Sequence, residues 1–315
     1  MKHVFIFDPG SFHDQWRMEA ILDSIGQYFR TQKNPHFTTQ VSRFPRESLG
    51  IIQDQVDDTQ EAETIRVYAI GGEKILFDCL NGIAGLPNME LAIVPYGETN
   101  DFLRTLGDGK PDPWRNIQAI VNSPTIPTDI ISAGNNYALN GCTIGLTPTI
   151  TIKRRELTSK IGGVGNVILF NQLIAFFNNM SLLLNKELTA QFYKVTIDDN
   201  AYNGEYSLIN IANGAYCSGN RVRAKGAIPN DGFLDVVLFK STGPISTLYS
   251  LKRHARGKKS GNCIFLQAKK ISIQTNVPVW MQLDSEYIQD TNISFEIIPE
   301  GVQIVTVNNL TYHRS

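Results

Sequence analysis

The first third of the chain alternates short apolar runs with amphipathic ones. Val4–Phe7 predicts a β-strand, and Trp16 to Phe29 predicts a helix because Met18, Ile21, Leu22, Ile25 and Phe29 recur near helical spacing. The alternation continues with a strand over Phe37–Val41, a helix over Ser48–Val56 and a buried strand over Arg66–Ile70. A helix over Ile75–Ile83, stopped by Gly82 and Gly85, and a strand over Leu91–Pro95 follow. This β-α-β-α order predicts a parallel sheet covered by helices. Ligands gather at the carboxyl ends of such strands, and Gly71, Gly72 and Gly97 fall there.

The pattern changes across Pro113–Pro127, where prolines punctuate the chain and Thr128–Ser132 begins a different texture. Short strands then dominate: Asn136–Asn140, Thr149–Lys153, Tyr193–Ile197, Tyr206–Ile211, Leu234–Phe239, Lys270–Thr275 and Val279–Leu283. One long apolar stretch, Val164–Leu184, interrupts them. Its asparagines and glutamine make it a buried or half-buried helix rather than a membrane span. Val302–Val307 predicts one more strand. Many short strands with turn residues between them predict a β-sandwich-like or related all-β domain.

Composition narrows the class. At 315 residues the chain fits one large domain or two, and 42% hydrophobic residues suffice for substantial cores. Charged residues make up only 19%, which argues against long disordered tails. A formal net charge of −1 gives no global attraction to nucleic acid or to an anionic membrane, so any membrane contact must be local. The apolar run after Met1 is too short for a signal-peptide core. Cys79, Cys142, Cys217 and Cys263 lie far apart without a C-x-x-C pair, which favours a reduced cytoplasm over a disulfide framework or zinc site.

Two segments carry most of the chemical signal: Ala69-Ile70-Gly71-Gly72-Glu73, and Ile93-Val94-Pro95-Tyr96-Gly97-Glu98-Thr99-Asn100-Asp101-Phe102. Each runs from an apolar strand into glycine and then an acidic residue. Such loops can bring backbone N–H groups and carboxylates over a polyphosphate. Neither is G-x-G-x-x-G or G-x-x-x-x-G-K-[ST]. In order and spacing the pair resembles the diacylglycerol kinase catalytic domain family of lipid kinases. Ile211-Ala212-Asn213-Gly214, Pro229-Asn230-Asp231-Gly232-Phe233-Leu234-Asp235 and Asp284-Ser285-Glu286 are similar to three further motifs of that family. The matching segments run from about Gly71 to Glu286.

The resemblance implies an α/β nucleotide-binding domain over residues 1–127, joined by 302–315, a β-rich domain over 128–301, and an active-site cleft between them. It implies ATP and Mg²⁺ as cofactors and a lipid hydroxyl as acceptor. Glu286 is carried over as the proton acceptor with Asp284 beside it. Residues two apart on a strand would present both carboxylates to one face, although a solvated turn after Val279–Leu283 reads the same residues. Gly71, Gly72, Glu73, Lys74, Gly97, Glu98, Asn100 and Asp101 map to the nucleotide loops. Asp231, with the backbone carbonyls of Ile228 and Phe233, maps to a structural Mg²⁺ site, but Asn230-Asp231-Gly232 is equally an ordinary turn.

Several motif positions depart from the family. Lys74 and Ile75 stand where it has glycine and threonine, Glu98 puts a negative charge at a phosphate loop, and Ser285 replaces a glycine. These changes support an alternative, a catalytically impaired relative that regulates by binding nucleotide or lipid. An NAD-dependent oxidoreductase lacks its glycine fingerprint. The basic run Lys252–Lys259 is a candidate contact for anionic headgroups at the inner membrane surface, or a solvated helix end. Without interleaved aromatics it does not read as a nucleic-acid site.

Overall fold

The computed structural model describes residues 1–33, 35–57, 63–107, 110–160, 190–219, 221–308 and 310–312. The N-terminal half begins with β1 (Lys2–Phe7), α1 (Gln15–Arg30), β2 (Phe37–Val41), α2 (Glu47–Asp57), β3 (Ile65–Gly71), α3 (Glu73–Ile83) and β4 (Met89–Pro95). Three short helices follow, α4 (Asp101–Thr105), α5 (Asp112–Arg115) and α6 (Ile117–Val121). Strands β2, β1, β3 and β4 lie side by side and are all parallel. Every residue of β3 is buried, as expected of a parallel strand covered on both faces. The helix α1 seats Ile21, Ile25 and Phe29 on this sheet, at the spacing the sequence shows.

The β-rich half comprises β5 (Thr125–Ala133), β6 (Asn136–Ala138), β7 (Gly141–Gly145), α7 (Leu146–Lys160), β8 (Gln191–Ile197), β9 (Asn200–Ala201) and β10 (Gly204–Ala212). It continues with β11 (Tyr216–Cys217), β12 (Arg221–Val222), β13 (Leu234–Lys240), α8 (Pro244–His254), β14 (Cys263–Ala268), β15 (Lys270–Leu283) and β16 (Glu286–Val305). Its pairings are antiparallel and run β14-β13-β10-β7-β15-β16. An α/β half with a parallel sheet thus precedes a β-sandwich-like half.

Strand β16 links the two halves. Its first part pairs with β15, and Gln303 and Ile304 at its end pair in parallel with Glu90 and Leu91 of β4. The end of β16 thereby becomes a strand of the first sheet. The change of direction is a bulge between Ile298 and Val302, where Glu300 has a φ of 51°. The buried Asp129 pins it, accepting from Glu300 N at 2.8 Å and from Gly232 N at 2.8 Å.

Helix α3 is shared by both cores. Ile75, Leu76, Cys79 and Leu80 pack into the α/β core, whereas Phe77 packs among Ile131, Ile144, Leu283 and Phe295 of the β-rich core. Asn81 bolts the helix to β6, donating to Tyr137 O at 2.9 Å and accepting from Tyr137 N at 2.8 Å.

Three sequence expectations need correction. The predicted strand Thr149–Lys153 is part of helix α7. Alternating Thr and Ile imitate strand composition, but Thr149 Oγ1 and Thr151 Oγ1 donate to the carbonyls of Gly145 and Thr147, four residues back, which a helix permits. The predicted strands Lys270–Thr275 and Val279–Leu283 are one strand with a register shift between Gln274 and Val279. Residues 286–305 form one 20-residue strand, of which only the end was anticipated. The predicted helix Val164–Leu184 lies outside the described residues.

Candidate active site

The carboxyl ends of β3 and β4 cross at the two glycine loops. Tyr96 N and Gly97 N both donate to Gly71 O, at 2.8 and 3.0 Å. A Cβ built on Gly97 would collide with the backbone of Gly72, and one on Gly71 would press on Ile75, Asp8 and Ser11. The glycines are needed here so that two backbones can touch. The space bordered by Gly71, Gly72, Glu73 and Asn100 is too tight for a water molecule. The interior between the two glycine loops is thus filled, because the loops pack on each other and Ile75 is core.

Open space lies one residue further along. A polar pocket of about 80 Å³ is lined by Asp8, Ser42, Arg43, Lys74, Ile75 and Asp78, at the carboxyl ends of β1, β2 and β3. Asp8 shapes its floor, accepting from Gly10 N at 3.0 Å and from Ser11 Oγ at 2.7 Å. Lys74 is exposed at the rim. Glu98 is also exposed and lines neither this pocket nor the closed space. Asn100 reaches back to Gly97 O at 3.5 Å.

Beside the loop crossing, carboxylates converge. Glu73 Oε1 accepts from Asp101 N at 2.7 Å, and Asp101 Oδ1 accepts from Gly219 N at 2.7 Å. Burial and then the charge of Asp101 push the Glu73 carboxyl up to about 8. Asp284 adds to the repulsion, while the buried Arg223 offsets it.

The hairpin that carries Asp284 and Glu286 faces α3, but the two side chains part company. Leu283 pairs with Glu286, so Asp284 and Ser285 form a two-residue turn rather than a strand end. Asp284 takes the left-handed conformation at a φ of 45°. Ser285 is not among the positive-φ residues, which explains why serine is tolerated where the family has glycine. The Asp284 carboxylate accepts from Leu139 N at 2.7 Å, Asn140 N at 3.1 Å and Gly141 N at 2.8 Å. It holds the 139–141 turn rather than opening onto the cleft. Burial raises its pKa, opposed by Arg223 and these amides. Glu286 instead lies on the side of Asp78, a buried residue of α3. The Asp78 carboxyl is raised by burial and further by the Glu286 charge, and it accepts from Arg46 N at 3.1 Å.

Residues 4–133 match the diacylglycerol kinase catalytic domain, and residues 165–306 match the YegS C-terminal NAD kinase beta sandwich-like domain. This match places the N-terminal part of the chain in the diacylglycerol kinase catalytic domain family. A Staphylococcus aureus (strain Mu3) protein named "Putative lipid kinase" is 25% identical over 306 residues, covering 95% of this chain and 96% of that protein. The fold is that of two Bacillus anthracis str. Sterne structures, each covering 98% of both chains. One, titled a "putative diacylglycerol kinase", has a TM-score of 0.72 at 23% identity, and one titled "a diacylglycerol kinases" has 0.69 at 20%.

Other family motifs do structural work in this chain. Asn213 Nδ2 donates to Asp129 O and Leu139 O, both at 2.7 Å, which ties the Ala-Asn-Gly strand to the domain junction. Asp231 Oδ1 accepts from Phe233 N at 3.0 Å, and Ile228 O accepts from Asn230 N at 2.8 Å. The residues Asp231, Ile228 and Phe233 of the candidate metal set thus lie together in a turn with local hydrogen bonds. No cluster of three or more His, Cys, Asp or Glu able to hold a metal occurs among the described residues. Sequence reasoning missed Asp78, Arg223, Asn140 and Asp129. Asp78 was findable, being four residues beyond Lys74 on one helix face. Arg223 lies in a segment without a motif.

Proposed function

We propose that this diacylglycerol kinase family member transfers the γ-phosphoryl group of ATP to a hydroxyl of diacylglycerol or a similar lipid. The observation that carries the reading is that helix α3, which both cores share, holds two acidic pairs, Glu73 with Asp101 at its start and Asp78 with Glu286 further along. The lipid oxygen attacks the γ-phosphorus, the bond from that phosphorus to the β,γ-bridging oxygen breaks, and ADP leaves. The hydroxyl proton passes to the carboxylate of Glu286. The pocket beside Lys74 receives phosphate oxygens, with Lys74 as a point charge. Glu73 and Asp101 fit a divalent cation, since their mutual repulsion is what a cation relieves, and Mg²⁺ held there would neutralise phosphate charge. Asp284 is a positioning residue, and the enzyme would work from the cytoplasm at the inner membrane surface.

The test is a radiolabel transfer assay with ATP, Mg²⁺ and a panel of lipids. Labelled phospholipid with one lipid class supports the reading, and no product with any lipid rejects it. The motif departures at Lys74, Ile75, Glu98 and Ser285, with Ile75 buried in the core, favour a second reading, a nucleotide- or lipid-binding regulator without transfer. Thermal stabilisation by ATP without product would select it. Ligand at a hundred times its dissociation constant adds about 2.7 kcal/mol.

The raised Glu73 carboxyl sets a pH dependence. With a folded value of about 8 against an ordinary 4.5, the folded chain binds one proton more than the unfolded chain between those values. That contribution to stability therefore falls as pH rises through this window, by at most about 1.4 kcal/mol per unit. Glu73→Gln keeps an acceptor for Asp101 N and removes the titration. Chemical denaturation from pH 5 to 8 should show the variant gaining on the wild type with each step. Parallel curves would show that Glu73 does not titrate in this range.

A further inference from the structure

Helix α8 (Pro244–His254) is polar on its inner face and apolar on its outer one. Thr247, Ser250 and His254 point inward and are buried, while Ile245 is 84% exposed, Tyr249 59% and Leu248 44%. The three apolar residues lie at i, i+3 and i+4, so they form one ridge, and the exposed Lys252 continues it. A helix that faces only water shows the reverse arrangement.

Charge surrounds the ridge. Between Lys240 and Lys270 the chain carries eight Lys or Arg and no Asp or Glu, although its overall net charge is −1. Lys252, Arg256, Lys258 and Lys259 form no ion pair among the described residues. Arg253 is the exception to this outward display. Its guanidinium donates to Lys259 O at 3.1 and 3.2 Å and rests over the Tyr249 ring.

We propose that the α8 ridge and its basic C-terminal end are the docking surface for an anionic lipid bilayer. Apolar residues that insert among acyl chains, flanked by cations at headgroup level, are what an interfacial helix presents. An apolar protein groove would not call for the cations, and a nucleic acid would not call for Ile245 and Leu248. The inference deepens the lipid-kinase reading, on which the choice of a bilayer partly rests. The geometry connects the surface to the acid cluster. His254 Nε2 meets Arg223 O at 2.6 Å, and Val222 N donates to Ala255 O at 3.1 Å. The end of α8 is therefore fastened to the segment that carries the guanidinium beside Asp284.

Co-sedimentation with phosphatidylcholine vesicles, with and without phosphatidylglycerol, tests the proposal. The wild type should bind only vesicles that contain phosphatidylglycerol. Raising ionic strength from about 0.1 M to about 1 M, which shortens the Debye length from about 10 Å to about 3 Å, should release it. The variant K252S/R256S/K258S/K259S should lose about 10²-fold or more in vesicle affinity. I245S/L248S should lose about tenfold or more with the charges intact. All six positions are outside the cores, so both variants should match the wild-type melting temperature. Absence of binding, equal binding to both vesicle types, or undiminished binding by either variant overturns the docking surface. So does a dimer that I245S dissociates in a chain that ignores vesicles. A short-chain, micelle-free diacylglycerol separates the two claims. Phosphorylation of it without vesicle binding rejects the surface alone, and vesicle binding without any phosphorylated lipid rejects the kinase reading alone.

Discussion

Replacing Glu286 with glutamine is expected to cut phosphoryl transfer by about 10²–10⁴-fold, the contribution of a positioned general base. The thermal midpoint should stay within about 2 °C of the wild type. Glutamine keeps the length and shape of the side chain at the start of β16, where Glu286 is half-buried, but its amide cannot take the hydroxyl proton. The substitution also removes the negative charge facing Asp78, so the Asp78 carboxyl should titrate at a lower pH than in the wild type. Initial rates with saturating ATP and lipid measure the first effect, and carboxyl chemical shifts in an NMR titration measure the second. Wild-type rates with a displaced Asp78 titration would place Glu286 beside the reaction without making it the base.

Asp284→Ala is expected to destabilise the chain by about 3–5 kcal/mol, which lowers the melting temperature by roughly 10 °C. The carboxylate is the acceptor for the amides of Leu139, Asn140 and Gly141, and Arg223 packs directly over Gly141. Alanine would leave those N–H groups without an acceptor and remove the carboxylate charge that Arg223 feels, and it fits the left-handed turn poorly. Two further substitutions separate the causes. Asp284→Gly keeps the turn conformation and loses every acceptor, whereas Asp284→Asn keeps the conformation and one acceptor oxygen. Melting temperatures should fall in the order wild type, Asn, Gly, Ala. An Asn variant as stable as the wild type would show that the carboxylate is not what holds the 139–141 turn.

The tightly packed glycine crossing leaves an open polar pocket beside Lys74. Gly72 and Gly97 serve backbone contact, which any chain that brings β3 and β4 loops this close must satisfy. Lys74 and Ile75 then have opposite fates on successive helix positions. Ile75 turns into the core, and Lys74 turns to the pocket rim. The family's glycine and threonine at these positions are replaced by a pair that defines the pocket by one buried and one charged side chain.

The hydrophobic pattern alone determined the α/β half. Apolar runs of strand length alternating with helix-period stripes have one economical solution, a parallel sheet with helices on its faces, and β1 to β4 with α1 to α3 fall where the periods place them. The ordered motifs determined the family and brought Glu73, Asp101, Asp284 and Glu286 forward as acids of one site, because those residues lie in loops whose spacing is local. The tertiary structure decided what is not local. Thr149–Lys153 is helix despite its strand-like composition, and its hydroxyls bond the carbonyls four residues back. Asp284 became a cap because the chain delivers Leu139, Asn140 and Gly141 to it across more than a hundred residues. Arg223 and Asp78 joined the site through partners equally remote in sequence. Periodicity reports which face a residue occupies, but which remote group fills the space in front of that face is set only when the sheets close.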